Sequence, residues 1–362
     1  MQAAKWPALE EISIASPMLP SPPSRALGQS RQMGQQASAY HAGKITAEPI
    51  FASCLLSSEL CVSGIGNLWR GGARTILPNL TTSYWQRAIQ VGELELQNES
   101  NLPVRNIEVP CICPVGWGYN IYGHVVIEIL PRLLLARKWA LQKGLCDAAI
   151  LLPDDAPAWI NPILSSFGIL EEEIIRYSPK TEQVRLLRGI FPYYLYRSYG
   201  FHPLVADLLD EWLPTVKRSD NRDGVLFIAR PTEWNPATRR CANEADLIAI
   251  AQEEFGCSVI QPETLSFPQQ ILAFNNAAGV IGLYGSGLHN AIFTDKGLHV
   301  GIIGMKNLAQ SHIAALRQQP ISYFNNGINI SGNYVVDVKL FTHFMRGYFS
   351  SRGGRKGLMS FF

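Results

Sequence analysis

The stretch Gly279–Asn290, Gly-Val-Ile-Gly-Leu-Tyr-Gly-Ser-Gly-Leu-His-Asn, constrains this chain more than any other. A buried strand runs into a glycine-hinged turn and then a helix start, a junction that gathers backbone N–H groups where an anion can sit. The pattern is weak by itself, because many α/β proteins follow a strand with a glycine turn. Its neighbours sharpen it. Gly224–Arg230 reads as a buried strand, Asn243–Phe255 as a helix with Asn243 at the N-cap and Asp246 at N3, and Cys257–Gln261 as a second strand. Ser266 with Gln269 forms a capping box opening a helix to Asn276, Val280–Leu283 is a third strand, and His299–Ile303 a fourth. Strands separated by helices predict an α/β domain whose parallel sheet is covered on both faces.

Ligands of such sheets lie at the carboxyl ends of the strands. That rule selects Arg230 after the first strand, Glu263 after the second and Tyr284, Gly285, Ser286 and Gly287 after the third, with Arg239 and Arg240 in the loop before Asn243. Three guanidinium groups and a helix N-terminus around one crevice describe a diphosphate site. Solvated arginines beside an ordinary helix cap are the plainer alternative.

Upstream, His124 and Glu128 stand four apart in a helix expected to begin near Asn120, and Arg132 follows four later on the same face. The stripe is either an intrahelical ion pair or a catalytic acid/base pair. Pro131 is expected to kink the helix after Leu130.

The order and spacing of these pieces resemble glycosyltransferase family 61. Asn120-Ile-Tyr-Gly-His124-Val-Val-Ile-Glu128-Ile-Leu-Pro-Arg132-Leu is similar to the family's N-x-x-x-H-W-x-x-[DE]-x-L-P-R-L segment. Phe227-Ile-Ala-Arg230 with Arg239-Arg240-x-x-Asn243-Glu244 resembles its I-S-R and R-R-x-x-N-E motifs. Pro262-Glu263-Thr-Leu-Ser-Phe-Pro-Gln-Gln270 resembles P-E-x-L-S-x-x-[ED]-Q, and Gly285-Ser-Gly-Leu-His289-Asn290 the turn H-G-A-G-L-T-N. The resemblance spans roughly residues 115 to 325 and points to a bacterial polysaccharide-type member. Three departures stand out: Val125 in place of Trp, Tyr284 in place of His, and no Glu in His299–Ile303.

The resemblance implies two Rossmann-like α/β domains facing a cleft (GT-B type), a nucleotide-sugar donor, with a UDP-sugar expected, and inversion at the anomeric carbon. It implies a hexosyl- or pentosyltransferase acting on a glycan or lipid-linked oligosaccharide, with His124 and Glu128 as the catalytic pair. Arg230, Arg239, Arg240, Asn243, Glu244, Glu263, Tyr284, Gly285, Ser286, Gly287, His289 and Asn290 then fall on the donor side. Tyr284 keeps a catalytically degenerate nucleotide-sugar or glycan-binding homologue open. A nicotinamide-dependent oxidoreductase ranks last, because Gly282-x-x-Gly285-x-Gly287 has the wrong spacing and position for G-x-G-x-x-G.

The 362 residues suit two domains, and an apolar fraction of 47% is ample for both cores. The expected division is a mobile leader over 1–48, rich in Pro, Ser and Gln from 16 to 44, an acceptor-side domain over 49–218, a donor domain over 219–325 and an extension over 326–362. Within the acceptor-side domain, strands are expected between 50 and 118, including the alternating Val91–Gln97, and one at Ala148–Leu152. A formal charge of +2 gives no electrostatic case for nucleic acid. No D-x-D occurs; Asp154-Asp155 reads as a loop after a strand, and no cofactor or metal is expected. Seven scattered cysteines argue against a disulfide framework, and Cys111-Ile-Cys113 reads as small apolar residues in a strand. With no secretory h-region at Met1–Glu11 and no long apolar run, the expected setting is cytoplasmic. The basic and aromatic Met345–Phe362 is either a frayed tail or a peripheral contact with the inner face of a membrane.

Overall fold

The computed structural model describes residues 6–23, 26–27, 37–77, 79–80, 99–114, 116, 118–213, 222–230, 241–304, 308–325, 327–330 and 333–351. It is a mixed α/β protein that divides into two units, one of Met1–Pro20 with Ala47–Pro214 and one of Ser21–Thr46 with Thr215–Phe362. The alternation at Val91–Gln97 lies outside the described residues.

The first unit holds a six-stranded sheet in the order Glu10–Met18, Ile50–Ser57, Gly189–Pro192, Cys111–Ile112, Ala149–Pro153, Ile174–Tyr177. Its first two pairings are antiparallel and the remaining three parallel. The leader thus departs from expectation over Glu10–Met18, which is a strand: its polar residues face outward while its backbone pairs with Ile50–Ser57, and ladder hydrogen bonds do what apolar burial could not. Cys111 and Cys113 are buried at the sheet, as expected of small apolar residues. A second sheet in this unit orders Ala73–Arg74, Asn67–Arg70, Cys61–Ser63, Gln183–Leu186 and Val104–Ile107.

The second unit is built on a sheet that is parallel throughout, ordered Ser258–Ile260, Asp223–Ile228, Ala277–Leu283, His299–Ile303, Ile321–Phe324, Ala26–Leu27. The central strands Ala277–Leu283 and His299–Ile303 are almost wholly buried, as strands covered on both faces must be. Glycines let neighbours close in: an added Cβ at Gly282 would lie 2.8 Å from the Ile228 carbonyl oxygen, and one at Gly279 only 2.3 Å from the Tyr348 hydroxyl. Tyr348 belongs to the helix Val338–Ser350, stacks on His299 at 4.2 Å between ring centres and donates to the His299 carbonyl at 2.7 Å. Up to Ser350, therefore, the C-terminal segment is not a frayed tail. Its Phe341, Phe344, Met345 and Tyr348 complete the core of the second unit, and that apolar face outweighs the entropy of ordering.

The capping box forms as expected: Ser266 N–H donates to Gln269 Oε1 at 2.9 Å, and Gln269 N–H to Ser266 Oγ at 3.4 Å. Asn243 stands at the N-cap of the helix Glu244–Glu253 without capping it through its side chain. The amide instead spans the backbone of Val336, donating to its carbonyl at 2.8 Å and accepting its N–H at 3.0 Å.

Within the second unit, Tyr40 and His41 join a polar–aromatic cluster. His41 Nε2 is 2.8 Å from the Tyr323 hydroxyl, which also bonds Ser311 Oγ at 2.5 Å, and Tyr40 packs edge-on against the buried His312 at 4.8 Å. Burial, aided by the nearby His41, pushes the His312 imidazole down to about 3. Unfolded His312 takes up a proton near pH 6.5 and the folded one does not, so its contribution to stability is present above pH 6.5 and is lost as pH falls towards 3. One proton sets a slope approaching about 1.4 kcal/mol per pH unit in that window. Denaturant unfolding of His312→Gln across pH 3 to 6.5 should show a shallower fall in stability than wild type; equal slopes would assign the acid sensitivity to other groups.

Candidate active site

In the first unit the helical run begins as α-helix over Tyr122–His124, opens into a π turn over Val125–Ile129 and resumes as α-helix over Leu130–Gln142. The expected kink at Pro131 takes the form of this wider turn. Pro131 has no N–H for the Ile127 carbonyl, and the chain answers with an i→i+5 bond from Leu130 N–H to the Val125 carbonyl. Across the turn His124 Nδ1 sits 3.1 Å from Glu128 Oε1, the histidine side chain 28% exposed and the carboxylate 9%. The contact is a close charge pairing and not an aligned hydrogen bond, and it puts the carboxylate on the Nδ1 side of the ring.

Arg132 leaves the stripe expected for it. Only 2% exposed, it donates from Nε to the Pro192 carbonyl at 2.9 Å and from Nη1 to the Pro114 carbonyl at 3.0 Å, and its guanidinium lies 3.8 Å from the centre of the Tyr194 ring. Carbonyl dipoles and an aromatic face provide what a buried cation requires. The arginine thereby pins the helix to the ends of two neighbouring strands, Gly189–Pro192 and Cys111–Ile112. Burial raises the Tyr194 hydroxyl and the Arg132 charge partly offsets it, so the phenol stays neutral. Glu128 acts electrostatically on both Tyr194 and Arg197. Sequence reading missed these two residues; the Tyr-rich run 193–199 was the available signal. Asp155 of the Asp154-Asp155 pair sits in a turn after Ala149–Pro153 and accepts from the Tyr119 hydroxyl at 2.7 Å.

In the second unit Arg230 follows the strand Asp223–Ile228. Its guanidinium donates to the Tyr284 carbonyl and lies over Gly285, where an added Cβ would be 3.4 Å from Nη2. Its own N–H donates to Glu244 Oε1 at 2.9 Å. The strand end, the helix Glu244–Glu253 and the glycine turn are thus tied at one edge of the sheet. Arg239 and Arg240 lie outside the described residues. Gly285, Ser286 and Gly287 are partly exposed, and Glu263 is exposed on a short 3₁₀ turn, Pro262–Thr264.

The helix expected after the glycine turn is a 3₁₀ helix, Ser286–Phe293. Outside donors claim its later carbonyls: Gln319 Nε2 bonds the Ala291 carbonyl and Arg317 Nε that of Ile292. These are carbonyls of the last turn, which find no donor inside a helix ending at Phe293, and the outside donors satisfy them. His289 is buried, so it stands apart from the exposed turn residues. Asn290 is also interior and donates to Gln270 Oε1 at 2.8 Å, bracing the turn against the helix Phe267–Asn276.

These features define an α/β protein with a histidine–carboxylate pair on one unit and, on the other, an arginine-clamped glycine turn at the ends of parallel strands. Residues 122–301 match the family model described as Glycosyltransferase 61, which supports glycosyltransferase family 61 and, with it, a sugar-transferring enzyme. The matched stretch contains both the His124–Glu128 turn and the Arg230–Gly285 contact. No curated protein matches the chain.

Gly118, at φ +86°, lies under the histidine: an added Cβ would meet His124 Cγ at 2.7 Å. Gly118→Ala should cost about 1–3 kcal/mol in backbone strain and displace the imidazole. Denaturant unfolding and a crystal structure of the variant check both, and an unmoved ring would remove Gly118 from the site.

Proposed function

We propose that the protein is an inverting glycosyltransferase that moves a sugar from a nucleoside diphosphate to a glycan hydroxyl, with the first unit serving the acceptor and the second the donor in a GT-B arrangement. The observation that carries this reading is the 3.1 Å His124–Glu128 contact held in a π turn, within the stretch that matches the family. His124 is the base and Glu128 orients it, because the imidazole is the more exposed partner. Nε2 takes the acceptor hydroxyl proton, the oxygen forms a bond to the anomeric carbon, and the bond from that carbon to the diphosphate oxygen breaks, its electron pair leaving with the nucleoside diphosphate.

The charge that grows on the diphosphate falls to Arg230, to the amides around Gly285–Gly287 and, by sequence, to Arg239 and Arg240. Glu263 is assigned to the donor's ribose hydroxyls, and a UDP-sugar is the expected donor. With arginines supplying the positive charge, turnover is expected to survive a chelator. The acceptor is assigned as a glycan or lipid-linked oligosaccharide at the cytoplasmic side.

Release of nucleoside diphosphate from a panel of nucleotide sugars, with and without acceptor saccharides, tests the reading. His124→Ala should lower kcat by about 10²–10⁴-fold, and Glu128→Gln should lower it less while leaving donor affinity intact. Full activity in both variants would sink the base assignment. Tight nucleotide binding by calorimetry without turnover of any donor would select the degenerate homologue instead.

A further inference from the structure

We propose that the outward face of the helix Val338–Ser350 docks the protein on an anionic phospholipid surface. The helix has two faces with different work. Phe341, Phe344, Met345 and Tyr348 are buried in the second unit. On the opposite side Lys339, His343 and Arg346 are all exposed, spaced four and three apart so that they form one stripe. Val338 and Leu340, 36% and 45% exposed, flank the stripe in the first turn.

The sequence also concentrates basic side chains toward this end of the chain. Five of its 31 Lys and Arg residues fall within 338–362 and none of its 29 Asp and Glu, which leaves the remainder with more acidic than basic side chains. A basic stripe accompanied by apolar side chains fits a bilayer, where cations meet lipid phosphates and apolar groups enter the interface. Nucleic acid would reward the cations but not exposed Val338 and Leu340. Because Met345 and Tyr348 are committed to the core, the lipid-facing residues are the stripe and its flanks rather than the aromatic run itself.

Co-sedimentation of the full chain with vesicles decides the question, and it needs no donor or acceptor. Wild type should bind phosphatidylcholine vesicles containing phosphatidylglycerol, fail to bind phosphatidylcholine alone, and dissociate as salt rises from about 0.05 to about 0.5 M. Lys339→Gln with Arg346→Gln should weaken binding by roughly fivefold per charge removed, while Lys339→Arg with Arg346→Lys should retain it. Unchanged circular dichroism and thermal midpoint in both variants establish that the fold is kept; should the Gln pair be destabilised, a charge-reversed Arg346→Glu alone is read in its place. Equal binding to neutral vesicles, undiminished binding by the charge-removed variant, or tighter binding to a single-stranded RNA than to the anionic vesicles at the same salt would each overturn the proposal.

Discussion

Parallel strands end at the same edge of their sheet, so the loops that leave them must be held by something other than ladder hydrogen bonds. In the second unit that task falls to Arg230. Its backbone N–H is taken by Glu244 at the start of one helix and its guanidinium by the carbonyl of Tyr284 at the start of the glycine turn. One residue thus fixes two loops, and it does so with a cation left close to a partly exposed turn whose first amides lack intrahelical acceptors. The architecture of the edge and the proposed anion site have the same source.

The first unit solves a different problem with similar means. A helix that must carry a polar pair in an apolar setting needs a fixed register, and Pro131 denies it the ordinary α ladder. The π turn absorbs the missing donor, and Arg132, buried against two carbonyls and the face of Tyr194, holds the turn to the sheet. Gly116 and Gly118 leave the room this needs: side chains there would strike the Tyr194 hydroxyl and the His124 ring. A carboxylate so placed stays in ion-pair contact with the histidine because its neighbours are themselves braced.

Much of the second unit was legible because its signals are local. Alternating strand and helix lengths predicted the parallel sheet, and Ser266 with Gln269 predicted a helix start that the structure reproduces. Where residues answer to distant partners the sequence said little. Asn243 bonds Val336, ninety-three positions away, rather than capping its own helix, and Arg132 faces Pro192 and Pro114 rather than Glu128. The last carbonyls of the 3₁₀ helix after the glycine turn are likewise satisfied by the distant Gln319 and Arg317. Glu10–Met18 is ordered through strand pairing, which composition does not register. In the site itself the histidine–glutamate pair followed from spacing, whereas Tyr194 and Arg197 reach Glu128 only through the fold.

The departure at Tyr284 bears on whether chemistry survives in this chain. Its contribution to the clamp is a backbone carbonyl, which any residue supplies, so the exchange of side chain leaves Arg230 where it is. The partly exposed Gly285 and Gly287 match the family's glycines, and buried Asn290 braces the turn through Gln270. In the proposed reading, losing one side-chain donor to the diphosphate removes a single hydrogen bond from a set dominated by guanidinium charge and backbone amides. The His124–Glu128 pair, held in contact at 3.1 Å, has no comparable anchoring duty, since Arg132 does the anchoring. A helix selected only for binding would have little reason to keep that half-buried pair beside a π turn, and in the proposed reading this favours an active transferase over a degenerate one.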